Sequence, residues 1–343
     1  MDLHHLKQNA DALVKKGKGL LAADESTATA GRRLALIGKE NTEENRQKMR
    51  EMFFSTPEIG KYISGVILYD ETLRQNASTG ETFVNLLAEH DVLSGIKVDL
   101  GLADFGDNGE KTTKGLAQLA MELPEYYDLG ARFAKWRAVF SVSDVLPTDT
   151  CIDENCELLA RYAKICQQHT IVPIVEPEVL IDDSGNNNTH TLARCEEVIR
   201  QVHGVLFEKL KEHDVYFEGM LLKPSMVING SKSADVASEE EVARTTFSVL
   251  KDTVPAEVAG IAFLSGGQSD EQATNHLNLM NKIANDEGAP RALTYSYGRA
   301  LQTSALLAWG GKDSGLEAGQ KEFLKRAHAN SLASQGLYDG EKA

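Results

Sequence analysis

Eight short apolar segments rich in β-branched residues recur along the chain, and they constrain the fold more than any other feature. They lie at 18–24, 64–70, 95–100, 133–140, 170–177, 218–224, 259–266 and 292–298. Segments of this kind predict strands, and the intervals between them are long enough for a crossover helix with its loops.

Helical patterns with capping residues lie between most of these segments. The stretch Asn41-Thr42-Glu43-Glu44 opens one helix, and Ser238 followed by Glu241 forms a capping box that opens another. Eight βα units without a low-complexity linker predict a single (β/α)8 barrel, that is, a TIM barrel. The alternative is an open doubly wound sheet with a second domain. We expect one domain over 1–343, with a short mobile tail at about 330–343.

The charge of the chain excludes several functional classes. Its 36 Lys and Arg residues stand against 51 Asp and Glu residues, a net charge of −15. An acidic surface repels nucleic acid and anionic membranes, although local basic clusters can still bind small anions. No apolar run approaches the roughly 18 residues that span a bilayer, and the amino-terminal sequence has no signal-peptide core. We expect a cytoplasmic protein without nucleic-acid or membrane partners.

Metal chemistry is not indicated either. The four cysteines form no C-x-x-C pair, and the nine histidines form no H-E-x-x-H motif. We therefore expect neither a disulfide framework nor a dedicated metal site.

Charged residues stand in predicted strands at a spacing that places them on one face. The three pairs are Lys97 with Asp99, Lys135 with Arg137, and Glu176 with Glu178, while Asp24 and Lys223 each end a further strand. Residues two apart in a strand share a face, and barrel interiors are usually apolar. Because desolvated charges need partners, the whole set indicates a paired, functional cluster inside the barrel. Any single pair remains equally compatible with a salt bridge toward helices or solvent.

Lys223, in the sequence Leu-Leu-Lys-Pro, is the predicted nucleophile. In a partly desolvated pocket beside another ammonium group such as Lys135, a lysine amine attacks carbonyls at neutral pH and forms a Schiff base. Losing water from the carbinolamine requires a general acid, for which Glu176 or Glu178 is suitable.

Two segments have the chemistry of phosphate sites. Ser265-Gly266-Gly267-Gln268 follows the seventh strand and Tyr297-Gly298-Arg299 the eighth, where barrels commonly bind anions through backbone N–H groups. The hydroxyls and guanidiniums of Ser26, Thr27, Thr29, Arg32 and Arg33 follow the first strand, at a predicted helix start. Two anion sites around a lysine imply a doubly phosphorylated carbonyl substrate.

Two polar stretches, 106–115 and 182–190, follow the third and fifth strands. We interpret both as loops, either on the active face of the barrel or on its plain surface.

The segments LLAADEST, SGVILYDETL, GIKVD, FAKWR, IVPIVEPE, LLKP, FLSGGQS and SYGRAL closely resemble class I fructose-1,6-bisphosphate aldolase in order and spacing. The resemblance implies a barrel lyase that uses no metal or other cofactor beyond a lysine imine. It implies reversible cleavage of fructose 1,6-bisphosphate to dihydroxyacetone phosphate and glyceraldehyde 3-phosphate, in glycolysis and gluconeogenesis. It also implies a homo-oligomer, usually a tetramer.

The resemblance further implies roles for individual residues. Lys223 forms the imine at C2 of the substrate, and Glu176 is the main acid and base for dehydration. Asp24 holds or deprotonates the C4 hydroxyl, Lys135 stabilises developing negative charge, and Glu178 aids proton transfer. The residues implied for the C1 phosphate are Ser265, Gly266, Gly267, Ser296, Gly298 and Arg299. Those toward the C6 phosphate are Ser26, Thr29, Arg33 and Lys97, with Arg137 bracing the centre.

The sequence departs from the family pattern at two places. Where many members read E-S-T-G-S, Ala28 replaces a glycine and Thr29 a serine, so a hydroxyl is kept and backbone freedom is lost. Animal members end in a tyrosine that helps protonate the enamine, whereas Ala343 ends this sequence and Tyr338 is not given that role.

Two other functions fit the same residues. One is another lysine-dependent sugar-phosphate aldolase or a transaldolase with one phosphate site. The other is a non-catalytic sugar-phosphate-binding scaffold, which the joint presence of Lys223, Glu176 and Asp24 disfavours.

Overall fold

A closed barrel of eight parallel strands forms the centre of the computed structural model, which describes residues 1–183, 186–289 and 291–340. In barrel order the strands are β1 (Gly19–Ala23), β2 (Ile63–Leu68), β3 (Leu93–Lys97), β6 (Phe133–Phe140), β7 (Val172–Val179), β8 (Leu221–Leu222), β9 (Gly260–Phe263) and β10 (Ala292–Tyr297). All eight predicted strands are present, and the predicted TIM barrel is confirmed.

Helices surround the barrel. They are α1 (Leu3–Leu13), α2 (Thr27–Ala35), α3 (Glu43–Phe54), α4 (Asp70–Leu73), α5 (Phe83–Ala88), α6 (Leu116–Asp128), α7 (Asp149–Gln168), α8 (Leu192–Glu212), α9 (Glu239–Thr253), α10 (Asp270–Glu287), α11 (Arg299–Trp309) and α12 (Leu316–Ala333). Both predicted helix starts are observed, because Thr42 caps α3 and Ser238 forms a capping box with Glu241. No described helix combines the length and apolar character needed to cross a bilayer.

Alternation along each strand divides the buried side chains into two layers. Odd-numbered residues of β10, such as Tyr295 and Tyr297, pack toward the helices with Trp136, which stacks on Tyr162 of α7. The inner layer at the amino ends of the strands is apolar and includes Phe133. This division places the even-numbered side chains of β10 inside the barrel.

Helix α1 closes the amino-terminal end of the barrel. Its residues Leu6, Ala10 and Leu13 pack with the inner layer around Phe133. A Cβ on Gly95 would lie 2.2 Å from the Phe133 ring, so only glycine leaves room for that ring. The interior of the barrel is therefore a packed apolar floor at the amino ends of the strands, and the charged side chains inside the barrel lie at the carboxyl ends.

One of the two loop predictions is wrong. Within 106–115, residues Glu110–Thr113 form strand β5, which pairs antiparallel with β4 (Leu102–Phe105). Glu110 anchors this hairpin, because its buried carboxylate accepts hydrogen bonds from the backbone N–H and hydroxyl of Thr148, at 2.7 and 2.6 Å. In the other predicted loop, residues 184 and 185 lie outside the described residues.

The carboxyl-terminal segment is attached beside α10. Helix α12 extends to Ala333, and the side chain of Asn278 bonds both the N–H and the carbonyl of Tyr338, each at 3.0 Å. Residues 341–343 lie outside the described residues, so a mobile tail and a single domain over 1–343 stay predictions.

Candidate active site

A cavity of about 870 Å³ opens at the carboxyl ends of the barrel strands and contains most of the predicted site. The predicted residues that line it are Asp24, Ser26, Thr29, Arg33, Lys97, Lys135, Arg137, Glu176, Lys223 and Gly298. Parallel register brings them together, because Lys97 lies opposite Lys135, and Arg137 opposite Glu176, on neighbouring strands.

Glu176 bridges the two lysines at the centre of the cavity. Its Oε1 atom lies 3.1 Å from Nζ of Lys223, and its Oε2 atom lies 3.4 Å from Nζ of Lys135. All three residues are at most 4% exposed. A buried lysine amine and a carboxylate able to exchange protons with it are thus in direct contact.

Lys135 is surrounded by three carboxylates, one within β7 and two just beyond the carboxyl ends of β1 and β3. Besides Glu176, its ammonium lies 2.7 Å from Oδ2 of Asp24 and 3.8 Å from Oδ2 of Asp99. Asp99 also accepts from Nζ of Lys97 at 2.7 Å. Each buried charge therefore has an opposite charge beside it, as buried ions require.

These contacts keep Asp24 and Lys135 ionised. Burial alone raises the pKa of Asp24, but the ammonium groups of Lys135 and Lys223 outweigh it and hold that pKa below its usual value. Burial likewise opposes the charge of Lys135, yet the carboxylates of Asp24 and Glu176 raise its pKa above that of an ordinary lysine. Asp24 is thus a permanent acceptor and Lys135 a permanent donor at neutral pH.

A second cavity of about 200 Å³ adjoins the first, and Arg137 lines both. Of the predicted residues it contains Glu178, Gly266, Gly267 and Arg299. Glu178 accepts from Nε of Arg137, so the two glutamates of β7 have different cationic partners. This cavity has glycine in its wall, the guanidiniums of Arg137 and Arg299, and the carboxylates of Glu178 and Asp182.

Backbone geometry suits the second cavity to an anion. Gly267 has φ +72°, and a Cβ there would lie 2.4 Å from Ile181. Helix α11 begins at Arg299, so its unpaired N–H groups and positive dipole end lie at the same edge. Ser265 and Ser296 line neither cavity and are buried, and the Ser296 hydroxyl has no hydrogen-bond partner among the described residues.

The helix after β1 supplies the groups at the other end of the large cavity. Ser26 caps α2, with its hydroxyl 3.5 Å from the N–H of Thr29, and the Thr29 hydroxyl accepts from Arg32 at 2.9 Å. Arg33 lines the cavity from the same helix. Of the five residues predicted for an anion site after β1, Ser26, Thr29 and Arg33 line the large cavity at a helix start, whereas Thr27 and Arg32 do not line it.

Sequence reasoning missed Glu25, a buried residue that organises this end. Its carboxylate lies 2.9 Å from Nε of Arg33 and 2.6 Å from Nη1 of Arg50. Burial lowers the pKa of Arg33, and the Glu25 carboxylate acts against that effect. No sequence signal indicated this contact, because Arg50 lies in α3, 25 residues away. Asp99 was recognised as a charged strand residue, but its contact with Lys135 was not anticipated.

Comparison with known proteins agrees with this arrangement. The family model "Fructose-bisphosphate aldolase class-I" matches residues 5–343. The chain belongs to the class I fructose-bisphosphate aldolase family. Membership confirms the predicted family and enzyme class, a lyase of the aldolase type.

Relatives of this aldolase come from distant organisms. It is 50% identical over 341 residues to a fructose-bisphosphate aldolase of Echinococcus multilocularis, covering 99% of this chain and 92% of the relative. It is 46% identical to a probable class 1 fructose-bisphosphate aldolase of Xanthomonas campestris, covering 99% of this chain and 100% of the relative. A solved Plasmodium falciparum aldolase, in complex with TRAP and a small-molecule inhibitor, has a TM-score of 0.95 at 45% identity, covering 98% of this chain and 96% of the other.

Proposed function

We propose that this aldolase cleaves fructose 1,6-bisphosphate reversibly to dihydroxyacetone phosphate and glyceraldehyde 3-phosphate through an imine on Lys223. The observation that carries the proposal is the Glu176 carboxylate, held between Nζ of Lys223 and Nζ of Lys135 at 3.1 and 3.4 Å. Membership of the class I family supports both the substrate and the metal-independent mechanism.

Imine formation uses Lys223 and Glu176. The amine of Lys223 adds to the C2 carbonyl and gives a carbinolamine. Glu176 then donates a proton to the carbinolamine hydroxyl, which leaves as water, and the nitrogen lone pair completes the C=N bond. The iminium nitrogen keeps its positive charge beside the Glu176 carboxylate once that group is ionised again.

Cleavage of the C3–C4 bond uses Asp24. Its ionised carboxylate accepts the proton of the C4 hydroxyl, glyceraldehyde 3-phosphate leaves, and the bonding electrons move into the iminium to give a neutral enamine. Lys135 stabilises negative charge that develops on oxygen during this step. Protonation of the enamine at C3, aided by Glu178, and hydrolysis of the imine release dihydroxyacetone phosphate.

The phosphates bind at the two ends of the site. We assign the C1 phosphate to Arg299, the Gly266–Gly267 turn and Gly298 at the start of α11, together with the buried Ser265 and Ser296. The C6 phosphate is held by Ser26, Thr29, Arg33 and Lys97, and Arg137 lies between the two ends. A substrate with one phosphate leaves one end empty, which favours a bisphosphate.

We also propose a cytoplasmic location and a homo-oligomer, a tetramer, with small sugar phosphates as the ligands. Relatives named as cytosolic in Arabidopsis thaliana, one of them 48% identical over 339 residues, support the location. Light scattering coupled to size exclusion measures the assembly directly, and a monomeric mass of 37.5 kDa would contradict it.

The test is reductive trapping. The protein is incubated with dihydroxyacetone phosphate, borohydride and EDTA, and its intact mass and peptide map are measured. We expect a reduced adduct on Lys223, no adduct in Lys223→Met, and an unchanged adduct in the control Lys211→Met, which alters an exposed lysine. An adduct on another lysine, or cleavage that EDTA abolishes, would contradict the mechanism.

A further inference from the structure

A dense group of positive charge lies at the end of the barrel opposite the active site. Lys15, Lys16 and Lys18 occupy the turn between α1 and β1. Lys15 and Lys16 are exposed and Lys18 is half-buried. None of the three has a carboxylate within 4 Å among the described residues. In a chain with a net charge of −15, three unpaired ammonium groups within four residues are unusual.

These lysines line a cavity of about 310 Å³ between the amino end of β10, α10 and the end of α12. A fourth cation, Arg291, lines the same cavity. None of the described lining residues is an Asp or a Glu. The cavity, which we call the basal cavity, therefore has four positive charges and no carboxylate on its walls.

The neutral polar side chains of the basal cavity already donate hydrogen bonds within the protein. The side chains of Asn281, Asn285, Ser334 and Gln335 each donate to a backbone carbonyl of the protein. The ammonium groups of the lysines donate to no described residue, and the buried Nε of Arg291 has no hydrogen-bond partner. The remaining donor capacity is thus mainly cationic, and acceptors with negative charge fit it best.

Neutralisation of helix ends does not account for the lysines. Arg291 does have this role, because its guanidinium donates to the carbonyls of Leu250 and Val254 at the end of α9, at 3.4 and 2.8 Å. The three lysines make no such bond among the described residues. Burial and the charge of Lys15 lower the pKa of Lys18, while Asp91 acts against them, so the two ammonium groups repel each other.

A second lobe adjoins the basal cavity and shares Lys15 and Lys18 with it. It has a volume of about 550 Å³. Apart from the shared lysines, Ser64 and Asp91, its lining is apolar: Ala12, Ala88, Val92 and Leu93. A cationic cavity joined to a mainly apolar one fits a ligand with an anionic end and a flat or apolar end.

We propose that the basal cavity binds linked phosphate groups, with the apolar part of the same molecule in the adjoining lobe, as in a nucleoside triphosphate. Four cations balance two or more phosphates, since each carries up to about two negative charges. The site lies on the face opposite Lys223, so it is separate from the sugar-phosphate subsites.

Lysine footprinting locates the ligand without any mutation. The protein is acetylated with and without ATP or pyrophosphate, both in EDTA, and each lysine is quantified by peptide mass spectrometry. We expect ATP to slow acetylation of Lys15, Lys16 and Lys18 at least fivefold and to leave exposed Lys211 and Lys321 unchanged. Protection restricted to Lys97, Lys135 and Lys223 would mean that anions bind only at the active site, and would overturn the proposal.

A matched pair of variants measures how much Lys15 and Lys16 contribute to the binding of ATP. Lys15→Ala/Lys16→Ala and the control Lys211→Ala/Lys321→Ala remove the same charge from exposed positions. Titration calorimetry should show at least a tenfold weaker Kd for ATP in the first variant and less than a twofold change in the control, with kcat/KM for fructose 1,6-bisphosphate unchanged in both. Equal weakening in both variants would overturn the site. Equal affinity for ATP and pyrophosphate would overturn the assignment of the apolar lobe.

Discussion

The ammonium group of Lys135 donates to the carboxylate of Asp24 at 2.7 Å, and this contact joins β6 to the end of β1 across the open end of the barrel. Lys135 lies in β6 and Asp24 directly follows β1, and these two strands are not neighbours in the barrel. The contact therefore balances charge inside the barrel, and it connects the stability of the fold with its chemistry.

Removing this ammonium should cost both stability and rate. In Lys135→Met, Asp24 and Glu176 lose a buried counter-charge, so we expect the free energy of unfolding to fall by about 3–5 kcal/mol. We expect kcat/KM to fall by about 10²–10³. Urea denaturation and a coupled cleavage assay measure the two effects. Lys48→Met is the control, because its pair with Glu44 has the same 2.7 Å distance but is exposed, and its removal should cost less than about 1 kcal/mol.

Asp24 should make stability depend on pH in a defined direction. Burial opposes its charge, but Lys135 and Lys223 hold its pKa below the unfolded value, which is about 3.9. A lowered pKa adds stability above the unfolded pKa, and this is lost as pH falls through the folded pKa. The stability advantage over Asp24→Asn should thus be constant above about pH 5 and shrink below about pH 4. Urea denaturation from pH 6 downward tests this, and an advantage that grows in acid would contradict it.

Glu25 should act on the substrate through Arg33. In Glu25→Gln the guanidinium loses the carboxylate that positions it, so we expect KM for fructose 1,6-bisphosphate to rise about tenfold, the effect of roughly one charge-assisted hydrogen bond. Fructose 1-phosphate is the control substrate, because it has no C6 phosphate and its kcat/KM should stay within twofold. A similar loss with both substrates would indicate a general structural defect instead.

The glycine turn after β9 should tolerate no side chain. Gly267→Ala places a methyl group 2.4 Å from Ile181 at φ +72°, so binding of dihydroxyacetone phosphate should weaken at least tenfold in calorimetry. Gly38→Ala is the matched control, because Gly38 has φ +66° but open space around it. It should lose only about 1–2 kcal/mol of stability and keep normal binding. Normal binding in Gly267→Ala would remove this turn from the phosphate site.

The barrel was predictable because a parallel strand buried on both faces is a continuous apolar run, which a sequence displays plainly. Strand limits were less predictable. β8 has only two residues, Leu221 and Leu222, although a longer segment was predicted. The hairpin of β4 and β5 was missed because each strand has only four residues, β4 is largely exposed and β5 is polar, so no apolar period identifies them.

The centre of the site was predictable for a different reason. Charges at two-residue spacing in a strand share a face, and strand order then brings Lys135 and Glu176 together. Contacts between a strand end and a helix have no such rule. Glu25 adjoins Asp24 in sequence, but its partner Arg50 comes from α3, and only the packing of that helix determines the contact.

The apolar floor formed by Phe133 and helix α1 leaves the substrate cavity open at one end only. Water released on imine formation, and water needed later for hydrolysis, must therefore pass the same mouth as the sugar. A bound bisphosphate obstructs that route while it is attached. We therefore expect exchange of water between the cavity and bulk solvent to be slow while the bisphosphate is bound and faster once glyceraldehyde 3-phosphate has left.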